Sequence, residues 1–185
     1  MIFQNHYRLN LGGGTLTQLA NRSVTQMMSY IIDCPDGDMI VIDGGIRIEI
    51  LSEPICYENY PTINPTSMIF KVHFPKQSVL FLGDFDVHGE ANYEKYFSVE
   101  KLRCDIVQMA HHGQDAVSRS FYHLIQPKYC LYPTPDWLWE NNKYGCNDPE
   151  TRGTGRFTTL ETRLWMAELK IVRSFHVGEG DLIFT

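Results

Sequence analysis

Three apolar segments of this chain end in the same way. MIVID stops at Gly44-Gly45, SVLFLG stops at Asp84, and CDIVQMA runs straight into His111-His112-Gly113. Each is short, rich in β-branched or large aliphatic residues, and bounded by glycine, which is the pattern of a buried strand. A carboxylate or an imidazole directly after such a strand is placed where layered α/β sheets put their ligands. A fold of this kind must therefore bury several strands on both faces and gather their polar ends. Adjacent residues on a strand point to opposite faces. One histidine of the pair at a time is thus expected to face a shared site; the alternative is a plain loop with one hydrogen-bonded and one solvated histidine.

The remaining segments agree with a layered fold. Met27 to Asp33 and Met39 to Asp43 are separated by CPDGD and read as a β-hairpin. Ile46 to Leu51 alternates apolar and charged residues, as a half-buried strand does. Ser67 to Phe74 and Ser78 to Gly83 flank PKQ and form a second hairpin. KYCLYP, IVRSF and DLIF are further strands. Helical stretches are expected at HGEANYEKYF, AVSRSFYHLI and LETRLWMAEL, the last with Leu160, Leu164 and Trp165 at helical spacing and Thr158 or Thr159 at its start. PTPDWLWE reads as a short helix entered through proline. This succession of hairpins and interspersed helices predicts an α+β (α/β) fold. With 185 residues, 43% hydrophobic and 21% charged, residues 1–185 are read as a single domain with its own core.

The net charge of -6 disfavours a nucleic-acid partner and an anionic membrane surface. No segment approaches membrane-spanning length, and MIFQNHYRLN lacks the pattern of a signal peptide. Five widely spaced cysteines without a CxxC pair read as reduced thiols. A cytoplasmic location is the expectation.

Asp84 is the strongest candidate for function, because a carboxylate directly after an apolar strand is otherwise expensive to place. Asp86, His88 and Glu90 follow at once. Asp, His and Glu suit zinc, manganese or iron, although His88 and Glu90 fit equally the solvated first turn of a helix. Asp43 fits either a turn or a site. Arg152 and Arg156 in TRGTGRF could meet a phosphate or lie on a surface loop. The aromatic residues of DWLWENNKYG read as core packing against the last helix, with an exposed covering surface as the other possibility.

The strand-end motifs together resemble the metallo-β-lactamase superfamily, most closely its ComEC-like competence-protein branch. The resemblance rests on MMSYIIDCPDGDMIVIDGG, on NPTSMIFKVHFPKQSVLFLGDFDVHGE, and on LRCDIVQMAHHGQDAVS with QPKYCLYPTP. It implies an αββα sandwich, incomplete in this chain, and a metal-dependent hydrolase acting on a phosphodiester, a related ester or another small molecule. In that family the aspartate of LGD bridges two metals and a histidine of HHG completes one site. The resemblance thus assigns Asp84 as catalytic and metal-binding, with His111 as ligand and His112 as a neighbour that binds metal or substrate. Asp43, Asn64 and Ser67 become supports. Apart from the resemblance, a ligating histidine needs an acceptor that fixes its tautomer, and Asp86 or Asp115 could serve. Zinc is the expected ion, with manganese and iron as alternatives.

One departure from the family is large. Its principal metal motif, HxHxDH, is absent, and no H-x-H occurs anywhere in the chain. After Gly45 the sequence passes at once into IRIEILSEP, as though an internal block between Gly45 and Ile46 were missing. Three expectations follow: a gap at that point, binuclear metal binding that is weak or absent, and convergence of Asp84, His111 and Asp43 in one pocket. A degenerate, non-catalytic binding or assembly module, which could be a homodimer, is the alternative to an enzyme.

Overall fold

A computed structural model of the chain describes the strand backbone of residues 7–10, 15–19, 29–33 and 39–43. It describes residues 46–52, 64–91, 93, 98–114, 116–143 and 148–180 with their side chains. The described residues form the strands β1 (Tyr7–Asn10), β2 (Thr15–Leu19), β3 (Ser29–Asp33), β4 (Met39–Asp43), β5 (Ile46–Ile50), β6 (Phe70–His73), β7 (Ser78–Phe81), β8 (Ile106–Gln108), β9 (Tyr129–Tyr132) and β10 (Arg173–His176). They join in one sheet in chain order. The strands from β1 to β7 form an antiparallel meander. From β7 to β10 the pairing is parallel, and the crossovers carry α1 (Val87–Glu90), α2 (Val99–Leu102), α3 (Arg119–Ile125), α4 (Asp136–Trp139) and α5 (Thr159–Glu168). Parallel neighbours cannot be joined by a tight turn, so this half of the chain needs its helices. The class is mixed α+β, as expected. No helix among the described residues is long and apolar enough to cross a membrane.

The β3–β4 and β6–β7 hairpins form where the sequence places them. The β1–β2 pairing and helix α2 were not foreseen. The strand expected at DLIF lies outside the described residues. In β4–β5, Asp43 stands opposite Ile46, so the two strands are antiparallel neighbours; Gly44 and Gly45, where a gap is expected from the sequence, lie outside the described residues.

The core lies between the sheet and the helices. Leu80, Val107 and Cys130 stand side by side on one face and are fully buried, together with Leu82, Met109, Phe121, Tyr122, Ile125 and Met166. The spacing of Leu160, Leu164 and Trp165 does not describe the buried side of α5. Leu164 is 66% exposed, whereas Thr159, Thr162 and Met166 are fully buried. The Thr162 hydroxyl donates to the carbonyls of Gly113 (2.5 Å) and Thr159 (3.0 Å), which is how a polar residue comes to occupy the core side. The opposite sheet face is also apolar: Val72, Val79, Phe81, Ile106 and Leu131 line a cleft of about 450 Å³.

Burial shifts several titrations. It pushes the Cys104 thiol up to about 12, and it raises Cys130, Tyr122 and Tyr132 as well. Burial lowers Lys71, whose ammonium donates to the Arg103 carbonyl at 2.8 Å. At alkaline pH the folded chain keeps thiol and phenol protons that the unfolded chain releases. The unfolded state then binds fewer protons, and stability falls as pH rises. Lys71 acts in the opposite sense, one group against four. The urea midpoint is therefore expected to be level up to about pH 8.5, the ordinary thiol value, and to decline from there toward pH 12. A midpoint unchanged between pH 8 and pH 11 would contradict this assignment of the buried groups.

Candidate metal centre

The polar ends of β7 and β8 meet at one edge of the sheet. β7 ends at Phe81 and turns through Gly83, whose φ of +56° is a left-handed conformation that glycine adopts without strain. The turn delivers Asp84 at the rim, where its backbone N–H donates to the Ser67 hydroxyl at 3.2 Å. Ser67 follows the short 3-10 turn Asn64–Thr66, so the N-x-x-S segment does sit beside Asp84.

Beyond β8 the backbone does not continue as a strand. His111 and His112 both take left-handed conformations, with φ of 46° and 59°. Strand alternation therefore does not separate the two rings, contrary to the expectation from sequence; both stand on a tight turn with centroids 6.0 Å apart. Left-handed backbone costs a non-glycine residue about 1–2 kcal/mol, and several bonds hold the turn in place. His111 N–H donates to the Gly83 carbonyl at 2.9 Å, and Gln114 N–H to the His111 carbonyl at 3.2 Å. The Thr134 hydroxyl donates to the His112 carbonyl at 2.5 Å. Ala110 N–H donates to the buried Tyr122 hydroxyl at 3.1 Å.

The two imidazoles have different partners. His112 Nδ1 lies 2.9 Å from the Pro133 carbonyl. A carbonyl only accepts, so Nδ1 carries the proton, and in the neutral ring the lone pair is on Nε2. That Nε2 faces Asp84 Oδ1 at 3.9 Å. His111 Nδ1 instead lies 3.5 Å from Asn64 Nδ2. With the amide so oriented, Nδ1 accepts and Nε2 carries the proton; turning the amide over reverses the roles and frees Nε2.

Other candidate residues have other tasks. Asp86 caps α1, its carboxylate accepting from the N–H groups of His88 (2.9 Å) and Gly89 (3.3 Å). The acceptor that fixes the His112 tautomer is thus the Pro133 carbonyl and not Asp86. Asp115 lies outside the described residues. Glu90 is not a solvated first-turn acid: it accepts from the Ser118 N–H at 2.6 Å and from the Ser118 hydroxyl, tying α1 to the start of α3. His73 pairs with Glu49 at 2.9 Å. Arg152 pairs with Glu140 at 2.5 Å, and Arg156 lies over the Phe157 ring. Trp139 does pack against the last helix, its ring covered by Arg163 at 3.8 Å.

Asp43 is the clearest correction among the site residues. It stands opposite Ile46, next to the row formed by Arg47, His73 and Ser78. That row is where β7 begins, whereas Asp84 lies past its end. The length of β7 separates the two aspartates along the sheet, so they do not converge in one pocket; the Asp43 side chain lies outside the described residues. An odd number of antiparallel reversals between β4 and β7 turns the ends about, and no single motif shows that.

Nothing in the comparisons with known proteins adds a family: no protein-family model matches the chain, and neither does any curated protein.

The donor set fits part of a metal site. Among the described residues no group of three His, Cys, Asp or Glu side chains is arranged to hold an ion. Asp84 and His112 supply a carboxylate and a tautomerically fixed imidazole that face each other, a pairing that suits zinc. At ordinary zinc distances neighbouring tetrahedral ligand atoms lie about 3.4 Å apart, so the 3.9 Å separation needs only a small side-chain adjustment. The same residues do not fit a binuclear pair.

Proposed function

We propose that this chain is a metal-dependent hydrolase of the metallo-β-lactamase type, of the ComEC-like branch, acting on a phosphodiester or related ester. The observation that carries this reading is the approach of His112 Nε2 to Asp84 Oδ1, with the other imidazole nitrogen engaged on the Pro133 carbonyl. Asp84 and His112 would hold one divalent ion, zinc or else manganese or iron. Bound there, such an ion supplies Lewis acidity toward an ester oxygen. The chain's own contribution is orientation: the Ser67 hydroxyl holds the backbone of Asp84, and Asn64 holds His111 beside it. His111 stands on the same turn, its Nδ1 directed at Asn64. The apolar second face of the sheet is where the facing layer of a sandwich would pack.

A second reading, a non-catalytic module of the same fold, is favoured by the missing H-x-H and by the absence of a three-ligand group among the described residues. Hydrolysis of bis(p-nitrophenyl) phosphate by chelator-stripped protein separates the two. Restored zinc or manganese is expected to give turnover above that of the metal salt alone. Turnover equal to the salt background with every ion supports the module.

A further inference from the structure

We infer that Gln108 is the positioning residue that sets the approach of Asp84 to His112; this rests on the reading of those two residues as a metal centre. Gln108 is the last residue of β8 and stands opposite Phe81, the last residue of β7. Past this pair the β7–β8 ladder ends, short of the N–H groups of Leu82 and Gly83. The Gln108 side chain replaces it. Its amide oxygen accepts from Leu82 N–H at 3.1 Å and from Gly83 N–H at 2.9 Å. Its amide nitrogen donates to the Met109 carbonyl at 2.5 Å, at the root of the histidine turn.

Gly83 is consequently held at both ends by the β8 side. Its N–H goes to Gln108, and its carbonyl accepts from His111 N–H at 2.9 Å. Asp84 follows Gly83 directly, and His112 follows His111 directly. One amide side chain thus fixes the two turns relative to each other, and with them the distance between carboxylate and imidazole. A glutamine is an unexpected residue here on any other account. By register it shares its sheet face with Val79, Phe81, Ile106 and Leu131, the apolar face. Leucine would satisfy that face and leave two turn N–H groups without the acceptor. Glutamate would keep the acceptor, but it sets a carboxylate oxygen against the Met109 carbonyl in place of the donor.

The inference separates a positional effect from loss of fold. Cobalt(II) is added to the wild-type chain, Gln108→Leu, Gln108→Glu and Asp84→Ala, and its visible absorption is titrated beside thermal melting. Residues that orient metal ligands typically change affinity about 10–100-fold. Gln108→Leu is expected to weaken cobalt binding at least tenfold and to alter the band shape while melting near the wild-type temperature. Gln108→Glu is expected to recover most of the affinity. If Gln108→Leu binds cobalt like the wild type while Asp84→Ala does not, the role of Gln108 is overturned and the metal centre stands. If Asp84→Ala binds like the wild type, or the wild type shows no cobalt spectrum, the metal-centre reading falls and the role of Gln108 falls with it. Should Gln108→Leu fail to fold, Gln108→Glu decides: with the acceptor kept, although the Met109 bond becomes a repulsive contact, cobalt binding must stay clearly tighter than in Asp84→Ala, and binding as weak as in Asp84→Ala contradicts the part given to the acceptor.

Discussion

Replacing Gly113 by alanine is expected to lower the stability of the chain by roughly 2–5 kcal/mol. Gly113 closes the histidine turn with a φ of +79°, and a Cβ placed on it would lie 2.2 Å from Cδ1 and 2.6 Å from Cε1 of Tyr132. The backbone conformation alone costs an alanine about 1–2 kcal/mol. The overlap adds the cost of overpacking, about 1–3 kcal/mol. Tyr132 has little room to move away: it is buried and meets the Trp139 ring edge-on at 5.1 Å, and α5 holds the other side of the turn through the bond from Thr162 to the Gly113 carbonyl. Domains are stable by only about 5–15 kcal/mol, so the loss is a large fraction of the total. At about 2–4 °C per kcal/mol for a chain of this size, the melting temperature should fall by roughly 4–20 °C. A melting temperature for Gly113→Ala within about 2 °C of the wild type would contradict the packing of this turn.

Most strands were legible because their signals are local. An apolar run bounded by CPDGD or PKQ needs no partner to be recognised, and β3, β4, β6 and β7 lie where those signals put them. The strands β1 and β2 were not legible. YRLN and TLTQL together carry more polar than apolar residues, and the meander supplies the pairing that their composition does not advertise. The site was legible in its residue types and only partly in its geometry. That Asp84 and the histidine pair share one rim follows from their positions after parallel neighbours β7 and β8. That His112, and not His111, faces Asp84 depends on two consecutive left-handed residues, a conformation that non-glycine residues adopt rarely and then singly. Gln108 was passed over because a lone polar residue near a strand end has no periodicity to mark it. The placement of Asp43 required counting strand reversals across the sheet, which depends on pairings that no single segment contains.

Asp84→Ala carries the other large expected effect, and it should fall on metal retention and not on folding. The Asp84 and His112 side chains are 45% and 50% exposed, and truncating residues this exposed usually changes stability within about 0.5 kcal/mol. Removing one of two converging ligands should instead weaken ion binding by at least the roughly 10–100-fold seen for residues that merely orient ligands. His112→Ala is expected to match it. His111→Ala should have the smaller effect, since that ring faces Asn64.

Elemental analysis after dialysis against zinc, made on the wild type and on Asp84→Ala, measures this directly. The expected result is no more than one zinc per wild-type chain, falling to background in Asp84→Ala with the melting temperature preserved. Two tightly held zinc ions per wild-type chain, or the same zinc content in Asp84→Ala, would contradict a single cation centre built on Asp84 and His112.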